Sequence, residues 1–315
     1  MPQAVLRRHD DPQPAVQSHP SLTPPRAQLE ELHRRIAELE EDSGASALAV
    51  AMYDTETGLS FEYHAERWFH AASTIKVAIL LGVFAAIHDG TLRRESRLHV
   101  RNRFLSAWDA EPFRVQSERD ANAAVHSAIG KSMRVAELAR HMIATSSNLA
   151  TNLLLDLVTV DKVQRVLKSL GVEGVDVRRG VEDERAHEHG VNNRVTAQGL
   201  VSMMRLIAEE RAFSAELSRE ILDVLHAQEF KNGIPARLPS DVRVAHKTGE
   251  ISTVAHDAGV VYPRDRGPYA LAVLTEWEPD ATGRTATIAI ASRTVYEFLA
   301  ELRSRVPVAE GEVSS

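Results

Sequence analysis

The apolar pattern of this chain changes period twice, and that change limits the possible folds more than any other feature. After Pro25, the segment RAQLEELHRRIAELEEDSG sets Leu29, Leu32, Ile36 and Leu39 on one helix face, with Gly44 placed to end the helix. ALAVAMYDTETGLSFEYH follows as two strands around a turn at Thr55 to Gly58. From Ser73 to about Leu225 the pattern is almost wholly helical, broken by loop-like pieces at 101–130 and 171–195. Past Pro235 the short period returns, with VRVAHKTG, DAGVVY and YALAVLTEW as three strands. A last helix, from about Thr287 to Arg303, is expected to bury Ile288, Ile290, Val295, Phe298 and Leu299.

A sheet must therefore be assembled from the two ends of the chain, with helices inserted between its second and third strands. Neighbouring strands joined by short turns run antiparallel. The expected fold class is α/β: a mostly antiparallel five-stranded sheet with helices on both faces and an inserted all-helical lobe. The expected organisation is a flexible Pro-rich leader over 1–27, one domain over 28–305 and a flexible tail over 306–315. The domain would divide into a sheet lobe, 28–72 plus 226–305, and a helical lobe, 73–225.

Composition removes several function classes. The 315 residues include no cysteine, which excludes disulfides, thiolate nucleophiles and iron–sulfur clusters and leaves packing alone to hold the fold. The net charge of −7 carries no basic excess, so no nucleic-acid partner is expected. Six of the 13 prolines fall in the first 25 residues. That segment lacks the apolar run of roughly 7 to 15 residues that a secretory signal needs, and the expected location is cytoplasmic. The most apolar segment, Val77 to Ile87, is far shorter than the roughly 20 residues that cross a bilayer, so it reads as a buried helix. No membrane partner is expected, and the working unit is taken as a monomer.

Candidate chemistry lies at the joints between segments. In FHAASTIKVAIL, residues 69–80, Ser73 stands three places ahead of Lys76 at the start of an apolar run. A serine at a helix start has unpaired backbone amides beside it that can stabilise an oxyanion. The lysine at i+3 shares its face, so the amine can reach the hydroxyl. Burial, or a second cation nearby, depresses a lysine pKa and makes the neutral amine a base. Read alone, the pair is better taken as a helix cap and an ordinary charge, since S-x-x-K arises about once by chance in a chain this long.

Two further clusters change that balance. ATSSNLATN puts Ser146 and Asn148 in a loop between helical patterns, where both side chains can project into a cleft. A hydroxyl there can pass a proton to a leaving amine, and an amide can hold a substrate carbonyl and the lysine. A plain N-cap is the competing reading. VAHKTGEIS ends a strand with Lys247, Thr248 and Gly249. Lysine and hydroxyl suit a substrate carboxylate, and the missing side chain at Gly249 lets an extended ligand lie along the strand edge. A plain strand-turn is the alternative, but the triplet is rare by chance.

In this order, S-x-x-K, S-x-N and K-T-G resemble the motif set of class A β-lactamases and penicillin-binding proteins. The likeness spans roughly residues 28–305, with LARHMIATSSNLATNLLLD, GIPARLPSDVRVAHKTG and IAIASRTVYEF as supporting phrases. It implies a serine hydrolase working through an acyl-enzyme on a small β-lactam or related amide that carries a carboxylate. It further implies Ser73 as nucleophile, Lys76 as base, Ser146 as proton shuttle and Asn148 as a substrate-amide contact. Lys247 and Thr248, beside Gly249, become the carboxylate anchor, and the backbone amides of Ser73 and Glu250 the oxyanion hole. No cofactor is implied. A D,D-peptidase or esterase with the same Ser-Lys chemistry, or a penicillin-binding sensor without turnover, are the alternatives. Members of the family are often secreted or periplasmic.

The match departs from the family in two places. The middle residue of S-x-N is usually aspartate, and here it is Ser147. In the loop 178–193 the lactamases carry a glutamate two places after an arginine, for the deacylating water, and a later aspartate that pairs with the arginine. Counting without gaps from Gly171 puts the arginine at Arg179, the glutamate position on Val181 and the aspartate position near Asn193. A one-residue shift puts Glu182 in the role, with Asp183 and Glu184 also at hand. HEHG at 187–190 offers two histidines but too few ligands for zinc, so no metal is expected. Trp108 and Phe113 are candidates for the cleft mouth, with packing the stronger reading for at least one. His256 and Asp257 are candidates for the pocket rim.

Overall fold

The five strands drawn from the two ends of the chain pair in one sheet. The computed structural model describes residues 26–121 and 123–304. Strands β1 (Ala47–Asp54), β2 (Ser60–Tyr63), β3 (Arg243–Ile251), β4 (Val254–Tyr262) and β5 (Tyr269–Glu276) lie in the order β3-β4-β5-β1-β2. Every neighbouring pair is antiparallel, and β1 joins the C-terminal strands by pairing Ala47 with Glu276 through Asp54 with Tyr269. The expected five-stranded antiparallel sheet is therefore present. β3 is left at the edge that borders the helical lobe.

Alternation along these strands feeds two cores, because successive side chains point to opposite faces. Leu48, Val50 and Met52 meet Leu32 and Ile36 of α1 (Arg26–Ser43) and Ile288, Val295 and Leu299 of α9 (Arg284–Ser304). The sequence-predicted face of α1 is thus the buried one, and Gly44 ends the helix at φ +74°. In α9, Ile290 is only half-buried while Ala291 takes its place in the core. The reason is the helical period: 288, 291, 295 and 298–299 share one face, and 290 falls well off it. The expected leader boundary at 27 falls inside α1, which already starts at Arg26; residues 1–25 and the tail from 305 lie outside the described residues.

The other face of the sheet packs on α7 (Ala197–Ala208) and α8 (Ala215–His226), and beyond them on α2 (Lys76–His88). α3 (Val135–Ala144), α4 (Asn148–Val158) and α5 (Val160–Ser169) complete the helical lobe. α2 is buried on all sides from Lys76 to Ala86. Each buried Val, Leu, Ile or Phe there contributes roughly 1.5–3 kcal/mol. That sum offsets what it costs to carry the Lys76 amine into the interior at the head of the same helix. Among the described residues no helix is long and apolar enough to cross a membrane.

Candidate active site

Ser73 lies in a single 3-10 turn, Ala72–Ile75, that leads into α2 rather than in the α-helix itself. The residue before it, Ala72, is held at φ +45°, a left-handed conformation that alanine rarely adopts. Edge strand β3 is pressed against this turn. A Cβ at Gly249 would stand 2.9 Å from the backbone nitrogens of both Ser73 and Thr74. Gly249 therefore clears room for the Ser73 backbone, and it also lines one of the cavities beside that serine. Ser73 lines two adjoining cavities, of about 430 Å³ and about 260 Å³.

Lys76 is fully buried, and its side-chain amine is held by Ser146 and Asn148 at the start of α4. Its Nζ donates to Ser146 O at 2.7 Å, to Asn148 Oδ1 at 2.8 Å and to Ser146 Oγ at 3.0 Å. Burial lowers its pKa to about 7, and the carboxylates of Asp120 and Glu182 act against that fall. The Ser146 backbone is left-handed, φ +57°, which turns its hydroxyl and carbonyl toward the lysine. Ser147 faces away, capping α4 by accepting from Ala150 N at 3.2 Å.

Of the three neighbouring carboxylates in loop 178–193, the structure brings Glu182 to this group. Its Oε1 accepts from Asn148 Nδ2 at 2.7 Å and its Oε2 from Gln116 N at 3.0 Å, with the side chain 8% exposed. Asn148 thus spans Lys76 and Glu182. Glu182 is held at φ +59°, and Asn152 clamps the preceding residue by accepting from Val181 N and donating to Val181 O. Asp183 points elsewhere, capping α6 (Glu184–Glu188) through Ala186 N at 3.1 Å and accepting from Ala107 N at 2.8 Å. Glu184 is exposed and pairs with Arg119 at 2.9 Å. Three left-handed non-glycine residues, Ala72, Ser146 and Glu182, therefore surround one buried lysine. Each such conformation costs about 1–3 kcal/mol and persists only where the surroundings impose it.

The Asn193 side chain ties the two ends of this loop together. Asn193 Oδ1 accepts from Arg178 N at 2.7 Å and Arg179 N at 3.1 Å, and its Nδ2 donates to Arg179 O at 3.0 Å. The Arg179 guanidinium donates to Val191 O, Gly180 O and Asn192 Oδ1. Burial lowers its pKa.

On the β3 side, Thr248 lines the smaller cavity with Ser146 and Gly249. Lys247 is buried behind it, donating to Thr248 O at 2.8 Å. Desolvation holds its pKa well below the usual lysine value, and the nearby Lys76 pushes the same way against Asp257. Glu250 borders both cavities, and its carboxylate accepts from Arg284 Nη2 at 2.6 Å.

Comparison with known proteins places this geometry. The sequence model of the beta-lactamase enzyme family matches residues 31–299. The chain belongs to that family. A beta-lactamase of Streptomyces fradiae is 30% identical over 278 residues, which cover 85% of this chain and 86% of that protein. The ROB-1 beta-lactamase of Haemophilus influenzae is 25% identical, over 84% and 83% of the two chains. Among solved structures, an ancestral class A beta-lactamase is 28% identical with a TM-score of 0.73, covering 84% of this chain and 99% of that one. A variant of PBP-A, solved as its acyl-enzyme complex with penicillin G, shares the fold at 23% identity and a TM-score of 0.74, covering 87% and 97%. The class A resemblance read from the three motifs is the family found.

Several residues of this family member are placed differently from the sequence reading or were missed by it. Trp108 stacks on His189 at 4.3 Å and Phe113 packs beside Phe104, so neither lines the two cavities. The HEHG histidines are tied into the loop, His187 Nδ1 to Asn192 Oδ1 at 2.7 Å and His189 Nδ1 to Arg185 O at 2.8 Å. Among the described residues no cluster of three His, Asp or Glu could hold a metal ion. His256 lines the smaller cavity, whereas Asp257 lies on the other face of the sheet, bonded to His246 Nδ1 at 2.9 Å. Burial lowers the pKa values of His256 and His70 to about 4. Asp120, Arg119 and the Gln116 amide come from the stretch 101–130, which has no periodicity and offered no signal that its polar groups turn inward.

Proposed function

We propose that this chain is a serine β-lactam hydrolase that works through an ester on Ser73. The observation that supports it most directly is the position of Ser73 at the junction of two cavities. Glu182 is in the wall of one, and Ser146 and Thr248 are in the wall of the other. An ester at that junction would meet water from the Glu182 side while the substrate carboxylate rests on the Thr248 side. All of these groups come from one chain, so a monomer suffices.

In this reading Ser73 Oγ attacks the lactam carbonyl carbon as the neutral Lys76 amine takes its proton. The backbone amides of Ser73 and Glu250 hold the carbonyl oxygen as it becomes negative. Collapse breaks the C–N bond, and the proton passes from Lys76 through Ser146 Oγ to the leaving nitrogen. Asn148 orients Lys76 and is the contact for the substrate amide. Thr248 binds the carboxylate, with the Lys247 amine behind it fixing the Thr248 carbonyl. Glu182 then takes a proton from water, which attacks the ester carbonyl, and the proton ends on Ser73 Oγ as the acid product leaves.

The Lys76 pKa of about 7 sets a pH dependence. Below it the amine is protonated and cannot accept from Ser73, so the acylation rate is expected to rise through about pH 7 and to level above it. His70 and His256, at about 4, stay neutral across that range and add no limb. Stopped-flow acylation rates taken from about pH 5 to 9 check this; a flat profile would remove Lys76 as the base. Gly249→Ala is expected to slow acylation by about 10²-fold, because its Cβ must displace the Ser73 backbone. An unchanged rate would show that the contact does not position the amide.

The deciding experiment is intact mass of the protein, followed in time after mixing with a penicillin. A serine ester that appears and clears while the drug is hydrolysed is the expected result. An ester that persists would make the chain a penicillin-binding module without turnover, and no ester with no drug lost would exclude β-lactams as substrates.

A further inference from the structure

The residue that most needs a function is Asp120, whose side chain is fully buried although it belongs to an irregular loop. One oxygen accepts from the Asn148 N–H at 2.5 Å. The other accepts from Ser147 Oγ at 2.9 Å and from the Leu149 N–H at 3.4 Å. The two N–H groups belong to the first turn of α4 and have no partner within the helix, the hydroxyl is that of its N-cap, and a carboxylate there also meets the positive end of the helix dipole. His126 Nε2 stands 3.1 Å from the same carboxylate on its outer side.

Two facts connect this contact to the active site. The bonded residues, 147–149, are continuous with Ser146 and Asn148, which accept three hydrogen bonds from Lys76. Ser147, moreover, occupies the motif position where the family pattern carries an aspartate. The carboxylate missing from the motif has reappeared against the same loop from residue 120.

We propose that Asp120 is a positioning residue for Lys76 and the Ser146–Asn148 loop, supplying from a neighbouring segment the carboxylate that Ser147 lacks. It acts in two ways. It fixes the loop that receives the three Lys76 hydrogen bonds, and its charge holds the lysine pKa up against burial. The other charged groups facing Lys76 are Glu182 from loop 178–193, which acts in the same direction, and Lys247 from β3, which opposes. Asp120 itself is faced by His126, with Glu118 beyond it.

The test needs a readout that survives if β-lactams prove not to be substrates, since the catalytic half of the inference rests on the proposed function. Protein labelled with ε-¹³C lysine reports the Lys76 protonation midpoint directly, with the resonance assigned from Lys76→Ala. In Asp120→Asn the midpoint is expected to shift to lower pH than in the wild type. Acylation by a chromogenic β-lactam should slow by about 10²-fold on its high-pH plateau, the cost of a loop displaced by about an ångström. In Asp120→Ser combined with Ser147→Asp, which returns the carboxylate to the motif, both should move back toward wild type.

An unmoved Lys76 midpoint in Asp120→Asn overturns the proposal, and so does a double variant that recovers neither midpoint nor rate. If Asp120→Asn fails to fold but the double variant folds and titrates like wild type, the proposal stands, because the carboxylate is then needed and its source is not. If neither folds, Asp120 is a determinant of the whole fold and the positioning role is lost. A Lys76 midpoint that shifts in Asp120→Asn, with no acylation of the wild type, counts against the function alone.

Discussion

Ser73→Ala is expected to lower kcat/KM toward a chromogenic β-lactam by about 10⁴- to 10⁶-fold and to abolish the covalent adduct in intact mass. The size follows from the chemistry. Without Oγ no ester can form, and what remains is binding plus stabilisation of the oxyanion by two amides, which survive the change. Folding should be nearly unaffected, because Ser73 lies in a short turn pinned by Gly249, Ala71 and Ala72 rather than by its own hydroxyl. Retained turnover in Ser73→Ala would end the acyl-enzyme reading. Retained penicillin binding without turnover is the expected companion result.

Glu182→Gln should separate the two halves of the reaction. Acylation depends on Ser73 and Lys76 and is expected to stay within about tenfold of wild type. Deacylation should fall by about 10²- to 10⁴-fold, the usual contribution of a positioned general base, so the ester accumulates. The isosteric amide can still accept from Asn148 Nδ2 or Gln116 N through its oxygen, which limits rearrangement of the loop. Asp183→Asn and Glu184→Gln are the controls. Asp183 caps α6 and Glu184 pairs with Arg119 at the surface, so neither should trap an ester. Unchanged turnover in Glu182→Gln would refute its assignment and leave the ester to be cleared by another group.

How far each residue could be read from sequence depended on whether its place is set locally. Leu32 and Ile36 of α1, and the alternation of β1 and β5, follow from periods of 3.6 and 2 that any short window reveals. Ser73 and Lys76, or Ser146 and Asn148, are held together within single motifs of three or four residues. Ile290 was misplaced by a shift of one helical position, the usual error when a face is judged from hydrophobicity alone.

Glu182 differs in kind. Counting along the loop pointed first to Val181 and then to three adjacent carboxylates, with nothing to choose among them. The choice is made by a left-handed backbone at 182, by Asn152 clamping Val181, and by the donors at Asn148 and Gln116. The same holds for Asp120, whose partners are 27 to 29 residues away, and for Gly249, whose constraint is the backbone of Ser73 across the cleft. The order of the strands, the helical insertion and the three short motifs are thus properties of the linear chain, because periodicity and spacing are local. Which carboxylate faces the lysine, and which glycine makes room for the serine, arise only when distant segments pack. In loops the direction of a side chain is set by long-range hydrogen bonds, and these leave no period in the sequence.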